Sequence, residues 1–180
     1  NAVVRAGLIA ATMNIENIIF VSNNLALREM KKKAESFGFQ AKIITETMRG
    51  EARDVGLKIL GELENADKNS VLLYGGETTV TIKNKNGRGG RNQEIALSAL
   101  RQIKENQLIL PIASDGRDNS DAAGAVCDII VKSEADRLGL DIEENLLKNN
   151  SYEFFAEAGG QVITGNTGSN VSDLVIAIKK

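Results

Sequence analysis

An α/β fold, a three-layer helix/sheet/helix sandwich with a mostly parallel, partly mixed sheet, is what this sequence predicts. Three observations predict it. Short apolar runs of strand length alternate with amphipathic stretches at helical period, polar clusters follow directly on the apolar runs, and two of the runs, at 71 to 83, lie close enough to argue for an antiparallel neighbour.

Val3, Val4, Leu8 and Ile9 form a helical stripe behind a start at Asn1 that lacks Met, as expected of a cut made upstream. Asn17 to Ser22, built on Ile18, Ile19, Phe20 and Val21, suits a buried strand. Asn23 and Asn24 then cap a helix through about Phe37, which Gly38 ends. Residues 40 to 44 are a second strand. Gly50 to about Leu63 is a second helix, with Val55, Ile59 and Leu63 stacked on one face.

Val71 to Tyr74 is a compact strand running into Gly75-Gly76-Glu77-Thr78-Thr79, and Val80 to Lys83 alternates as a further strand before a turn at Asn84 to Gly87. A helix from Asn92 to about Lys104 turns Ala96, Ala99, Leu100 and Ile103 toward a sheet on one side, with Asn92 placed to cap its amides. Leu108 to Ala113 is a strand ending at Ser114-Asp115-Gly116-Arg117-Asp118. Asp121 to Leu147 is rich in small residues and then helical, with Ala125 to Val131 equally readable as a strand. Gln161 to Ile163 leads into the polar run Thr164 to Asn170, and Leu174 to Ile178 is a final apolar strand. No linker divides these elements, and Pro111 is the one proline. A strand-helix segment over 1–66 is expected to pack into the same lobe as a principal domain over 67–180.

The chain has 180 residues, 42% hydrophobic and 26% charged, the composition of a folded domain with a sizeable core. Its 22 basic and 24 acidic side chains leave a net charge of −2, so bulk attraction to nucleic acid or to an anionic membrane is not expected. Cys127 has no disulfide partner within the chain and reads as a small buried filler. No apolar run reaches transmembrane length, and a cytoplasmic setting is expected. Histidine is absent, which removes serine-histidine and zinc-histidine chemistry. Carboxylates, Arg, Lys, hydroxyls and backbone amides remain, a set suited to phosphoryl transfer with Mg²⁺.

Gly87-Arg88-Gly89-Gly90-Arg91-Asn92-Gln93-Glu94 is the segment least like scaffold. Its glycines permit positive φ and inward-facing amides, its arginines add forked charge, and the helix start adds free N–H groups, which together suit phosphate. A flexible surface turn is the alternative. Glu77, the Ser114 to Asp118 cluster and the Thr164 to Asn170 cluster each follow an apolar strand, and ligands of α/β sheets collect at the carboxyl ends of strands. An anion socket beside several carboxylates calls for a cation, a phosphate or both between them. Each cluster also reads as ordinary turn chemistry, with Asp115, Asp118 and Asp121 as turn or cap residues.

Five blocks, in order, closely resemble the MOFRL domain of the glycerate 2-kinase family: residues 75–81, Gly87 to Glu94, Ser114-Asp115-Gly116, Asp121 to Ala125, and Thr164-Gly165 to Asp173. The resemblance covers about the last 110 residues. It implies transfer of the ATP γ-phosphate to the 2-hydroxyl of D-glycerate, with Mg²⁺, in a cleft between two α/β lobes. This chain would be the carboxy-terminal lobe, inactive alone, because the family's amino-terminal lobe contributes a catalytic lysine and much of the cleft. The partners so implied are ATP, D-glycerate and that lobe, with a homodimer left open.

On this reading Arg91 is catalytic, neutralising charge on the moving phosphoryl group. Glu77, Thr78, Arg88, Gly89, Gly90, Asn92, Ser114, Thr164, Thr167 and Asn170 are candidates for substrate or nucleotide binding, and Asp115 and Asp118 for metal. Replacing Arg91 by Ala is expected to abolish anion binding with little change in melting temperature. Two departures from the family pattern stand out. Asp118-Asn119-Ser120-Asp121 is one residue shorter than the usual Asp-Gly-Pro-Thr-Asp, and Asn166 and Ser169 replace the Pro and Thr of Thr-Gly-Pro-Thr-Gly-Thr-Asn.

Two rival classes are an NAD(P)-dependent hydroxypyruvate reductase, a name attached to some relatives, and a non-catalytic phosphate- or nucleotide-binding domain. Asn92 stands where a dinucleotide fingerprint needs its third glycine, and no Gly-Lys-Ser or Gly-Lys-Thr supplies a P-loop.

Overall fold

The computed structural model describes residues 21–180, so the stripe at Val3 to Ile9 and the strand expected on Ile18 to Phe20 lie outside the described residues. The elements in chain order are α1 (Asn23–Ser36), β1 (Gln40–Met48), α2 (Ala52–Glu64), β2 (Ser70–Gly76), α3 (Arg91–Leu100), β3 (Gln107–Ala113), β4 (Gly124–Ala125), β5 (Cys127–Asp128), α4 (Ile129–Leu138), α5 (Ile142–Leu147), α6 (Ser151–Ala158), β6 (Gln161–Val162) and β7 (Asp173–Lys179). One sheet orders its strands β1-β2-β7-β3-β4-β6, with β5 alongside β3.

The α/β sandwich with a mixed sheet is observed, and the strands β1, β2 and β3 all run the same way. Among the described strands direct parallel pairing is that of β1 with β2, because β7 lies between β2 and β3 and is antiparallel to both. The antiparallel neighbour of β2 is thus the carboxy-terminal strand. Residues 80 to 83 do not form the expected strand. Side chains satisfy their backbone instead: the Glu51 carboxylate accepts from the Thr81 amide and hydroxyl, and Asn149 Oδ1 accepts from the amides of Lys83 and Asn84.

Both faces of the sheet are covered. On one, Leu27 of α1 packs with Ala41, Val71, Leu73 and Leu174. On the other, α2 and α3 pack with the sheet and with Phe154 and Phe155 of α6, whose rings meet edge to face at 5.3 Å. α2 and α3 touch closely because Gly56 has no side chain; a Cβ there would stand 2.0 Å from Ser98 Oγ. α3 departs from the expected one-sided helix, since Asn92 through Leu100 are all buried. The helix after Asp121 is likewise preceded by two short strands. Pro111 has no N–H to donate, and the ladder beyond β3 is broken into β4 and β5 at that level. Cys127 is fully buried as expected, and burial pushes its thiol pKa up, with Asp128 adding to the effect. No described helix is long and apolar enough to cross a membrane.

Candidate functional site

Register brings the polar loops together. Asp173, the first residue of β7, lies opposite both Gly76 at the end of β2 and Ala113 at the end of β3. Glu77 to Thr79, Ser114 to Asp118 and Asn170 to Asp173 therefore share one edge of the sheet. Arg91, at the first turn of α3, reaches over this edge. Its Nε donates to Asp173 Oδ2 at 2.5 Å and its Nη2 to Asp173 Oδ1 at 3.2 Å, while Nη1 lies 2.6 Å from Glu77 Oε1. The two carboxylates differ in kind: the Asp173 side chain is fully buried, whereas that of Glu77 is 61% exposed. Burial pushes the Asp173 pKa above the usual carboxylate range, although Arg91 partly offsets it. Burial opposes the charge on Arg91, but Asp173 and then Glu77 and Asp118 together hold its pKa above the ordinary arginine value.

Of the three glycines in the glycine-arginine loop, Gly89 has the expected positive φ, of 157°, and the other two have a different rationale. Gly87 and Gly90 do not adopt positive φ. They are glycines because neighbours press on them: a Cβ would stand 2.0 Å from the Lys148 carbonyl at Gly87 and 2.2 Å from the Asp118 carbonyl at Gly90. Asp118 closes the loop. Its Oδ1 accepts from the Asn92 amide and side chain, and its Oδ2 from the Gln93 amide and side chain. It therefore caps α3, a task expected of Asn92, and all its lone pairs are committed. Burial raises its pKa against those hydrogen bonds. Asp118 is thus corrected from metal ligand to helix cap. The amides of Gly89, Gly90 and Arg91 take no protein acceptor among the described residues.

Two clefts flank Arg91. A larger one, of about 780 Å³, is lined by Gly89 and Gly90, by Val80 and Ile82, and by Lys85 and Arg117. A smaller one, of about 510 Å³, is lined by Thr47, Met48, Arg49, Glu77 and Ser172. Arg91, Thr78 and Thr79 border both. Thr78 is 2% exposed and its Oγ1 has no hydrogen-bond partner among the described residues, so a buried hydroxyl is left open at the seam.

The other expected residues divide. Arg88 turns away from Arg91: its guanidinium stacks 3.7 Å from the centre of the Tyr152 ring, with Asp121 and Glu153 each at 3.6 Å. Asn92 is fully buried behind the loop. Ser114 Oγ accepts from the Val171 amide, and the Ser114 carbonyl accepts from Thr167 Oγ1 at 2.5 Å. Asn170 Nδ2 donates to Asp115 Oδ2, and the Arg117 amide donates to Asp115 Oδ1. Thr164 is exposed, its hydroxyl donating to the Gly165 carbonyl. The run 164 to 172 is thus a brace that fixes Ser114 and Asp115, and only Ser172 of it reaches a cleft.

Several residues of the site are not among the candidates named from sequence: Arg49, Lys85 and Arg117, which line the clefts, and Asp173, Glu94 and Asn149. Asp173 closes the last family-like block and heads an apolar strand, but neither signal gives it a role. Glu94 is buried and accepts from Arg53 Nη2 at 2.7 Å, and Asn149 Nδ2 donates to its other oxygen and to the Thr81 carbonyl. Glu94 and Asn149 thereby tie the larger cleft to α2. Among the described residues no group of three or more His, Cys, Asp or Glu side chains could hold a metal ion. Asp115 and Glu77 each keep unused acceptor capacity, which fits an ion that takes one or two carboxylates and completes its shell with phosphate and water.

Known proteins share this architecture. A glycerate 2-kinase of Pyrococcus horikoshii is 42% identical over 175 residues, covering 92% of this chain and 40% of that protein. A D-glycerate 2-kinase of Thermotoga maritima is 39% identical over 160 residues, covering 83% and 38%. The crystal structure of glycerate kinase from Thermotoga maritima superposes with a TM-score of 0.89 at 35% identity, covering 93% of this chain and 42% of that one. The chain thus spans about 40% of the length of the relatives it matches. Residues 70–173, more than half of it, match the MOFRL family, and with the glycine-arginine loop, the Asp118 cap and Asp173 all inside that span, the chain belongs to the MOFRL family.

Proposed function

We propose that this chain is the carboxy-terminal lobe of an ATP-dependent glycerate 2-kinase, working in the cytoplasm in a cleft shared with a second lobe. The observation that carries the reading is Arg91 at the junction of two clefts, anchored by buried Asp173 and tied on its open side to exposed Glu77. Kinase relatives more than twice as long support the second lobe.

In the reaction the 2-hydroxyl oxygen of D-glycerate bonds to the γ-phosphorus of ATP. The bond from that phosphorus to the bridging oxygen breaks, its electron pair leaves with ADP, and the hydroxyl proton passes to solvent. Charge spreads over the phosphoryl oxygens as it moves. Arg91 neutralises that charge from a guanidinium already oriented by Asp173, so little reorganisation is needed at the moment of transfer. The amides of Gly89, Gly90 and Arg91 add donors to phosphate oxygens. Asp115, with Glu77, would hold Mg²⁺, which would supply neutralisation of phosphate charge.

The test is ADP release coupled to D-glycerate in the full-length protein and in residues 1–180 alone. Turnover is expected from the former and none from the latter. Arg91→Ala in the full-length protein is expected to lower kcat by about 10²–10³. A full-length protein that phosphorylates no glycerate overturns the reading.

A further inference from the structure

The two clefts on either side of Arg91 are unlike in charge and in apolar surface, and the difference allots the two substrates. In the larger cleft Lys85 and Arg117 are exposed and take no carboxylate partner among the described residues. Its own carboxylates are spent: Asp118 on the amides of α3, Glu94 on Arg53. Gly89, Gly90 and Arg91, whose amides take no acceptor among the described residues, line the same space, as do Val80 and Ile82, the latter 69% exposed. Free cations, free amides and an aliphatic ledge suit a polyphosphate joined to a flat, weakly polar base.

The smaller cleft is built for something else. Arg49 is its one cation apart from Arg91 and takes no carboxylate partner among the described residues, while Glu46 and Glu77 also line it. Glu77 is taken by Arg91, and Glu46 beside Arg49 leaves no surplus of positive charge to hold a triphosphate. Thr47, Thr79 and Ser172 line the same cleft as Arg49, and Thr78 Oγ1, without a partner among the described residues, sits at the seam. One cation with several hydroxyls and acidic acceptors matches a small hydroxy acid: the carboxylate on Arg49, the hydroxyls on the rest.

We infer that the larger cleft takes the nucleoside triphosphate and the smaller one the α-hydroxy carboxylate acceptor, with Arg49 as its carboxylate-binding residue and Thr78 as the hydroxyl partner where the two meet. The allotment rests on the kinase reading above. It brings the acceptor hydroxyl and the γ-phosphate together where the clefts meet at the Arg91 guanidinium, so one side chain touches both.

The experiment is steady-state kinetics of the full-length protein with both KM values measured. Arg49→Gln and Arg49→Lys are expected to raise the KM for D-glycerate, about tenfold or more for Gln and less for Lys, with the KM for ATP within about twofold of wild type. Lys85→Gln and Arg117→Gln are expected to do the reverse. Thr78→Val is expected to raise the KM for D-glycerate and to lower kcat, and Thr78→Ser to restore both. Melting temperatures identify any variant that fails to fold; Arg49, Lys85 and Arg117 are exposed, so their variants are expected to melt with wild type. Crossed effects, or equal effects on both KM values, overturn the allotment while leaving the kinase reading intact. Wild-type protein without glycerate-dependent turnover removes the kinase reading itself, and the two failures are thereby distinct.

Discussion

Arg91 holds two carboxylates of unequal kind, and its loss has a cost the sequence did not foretell. Asp173 is buried with Arg91 as its counter-charge. Arg91→Ala leaves that carboxylate unpaired, which costs about 3 kcal/mol near neutral pH, and a melting temperature lower by roughly 6–12 °C is expected. The pair with buried Asp173 thus replaces an expected small change by an expected larger one. The sign with pH follows from Asp173, whose pKa is already raised by burial and rises further without Arg91. An acid with a raised folded pKa binds more protons folded than unfolded. Stability of the variant is thus fully present below the unfolded carboxylate pKa and is lost as pH rises through the folded one. Thermal melts of Arg91→Ala across that range test this: the gap to wild type should widen with pH. Asp173→Asn has no carboxylate to strand, so adding it to Arg91→Ala should remove the extra loss at higher pH. Asp118→Ala, which removes the cap from α3 and leaves Asn92 and Gln93 without acceptors, should cost about 2 kcal/mol in a denaturant titration.

At the scale of elements, glycine positions were visible in the sequence but their reason was not. Glycines 87 and 90 were legible as a loop; only the packed structure shows Lys148 and Asp118 pressing on them. Gly56 lay in the middle of an ordinary amphipathic helix and carried no signal. A methyl group there would meet Ser98 Oγ and the Ile95 carbonyl, so Gly56→Ala should separate α2 from α3 and cost about 1–3 kcal/mol, read as a fall in melting temperature with no change in helix content. The helices and strands with a clear period, α1, α2, β2, β3 and β7, were legible because burial on one face or along a whole strand imprints that period. Val80 to Lys83 was misread for the same reason. Its alternation is genuine, but Glu51 and Asn149, distant in sequence, take the hydrogen bonds a neighbouring strand would have taken.

For the whole molecule, the proposed function makes the site one wall of a shared cleft. Arg49, Lys85 and Arg117 stand exposed around two open clefts, and the chain spans about 40% of its kinase relatives. Nucleotide should accordingly bind this lobe weakly by itself and more tightly when the second lobe closes over it. Calorimetry with Mg-ATP on residues 1–180 and on the full-length protein is expected to give an affinity at least about tenfold lower for the lobe alone.

The sequence by itself determined the fold class, the polar strand ends and the family resemblance, because each is written in local period or in short contiguous blocks. Tertiary structure alone decided what those residues do. It set Asp173 between the ends of β2 and β3, turned Arg88 away to Tyr152, and made Asp118 a cap rather than a ligand. The physical reason is that charge, burial and hydrogen-bond partners are properties of neighbours in space. Asp173 lies 82 positions from the arginine it orients, and no local pattern records that pairing.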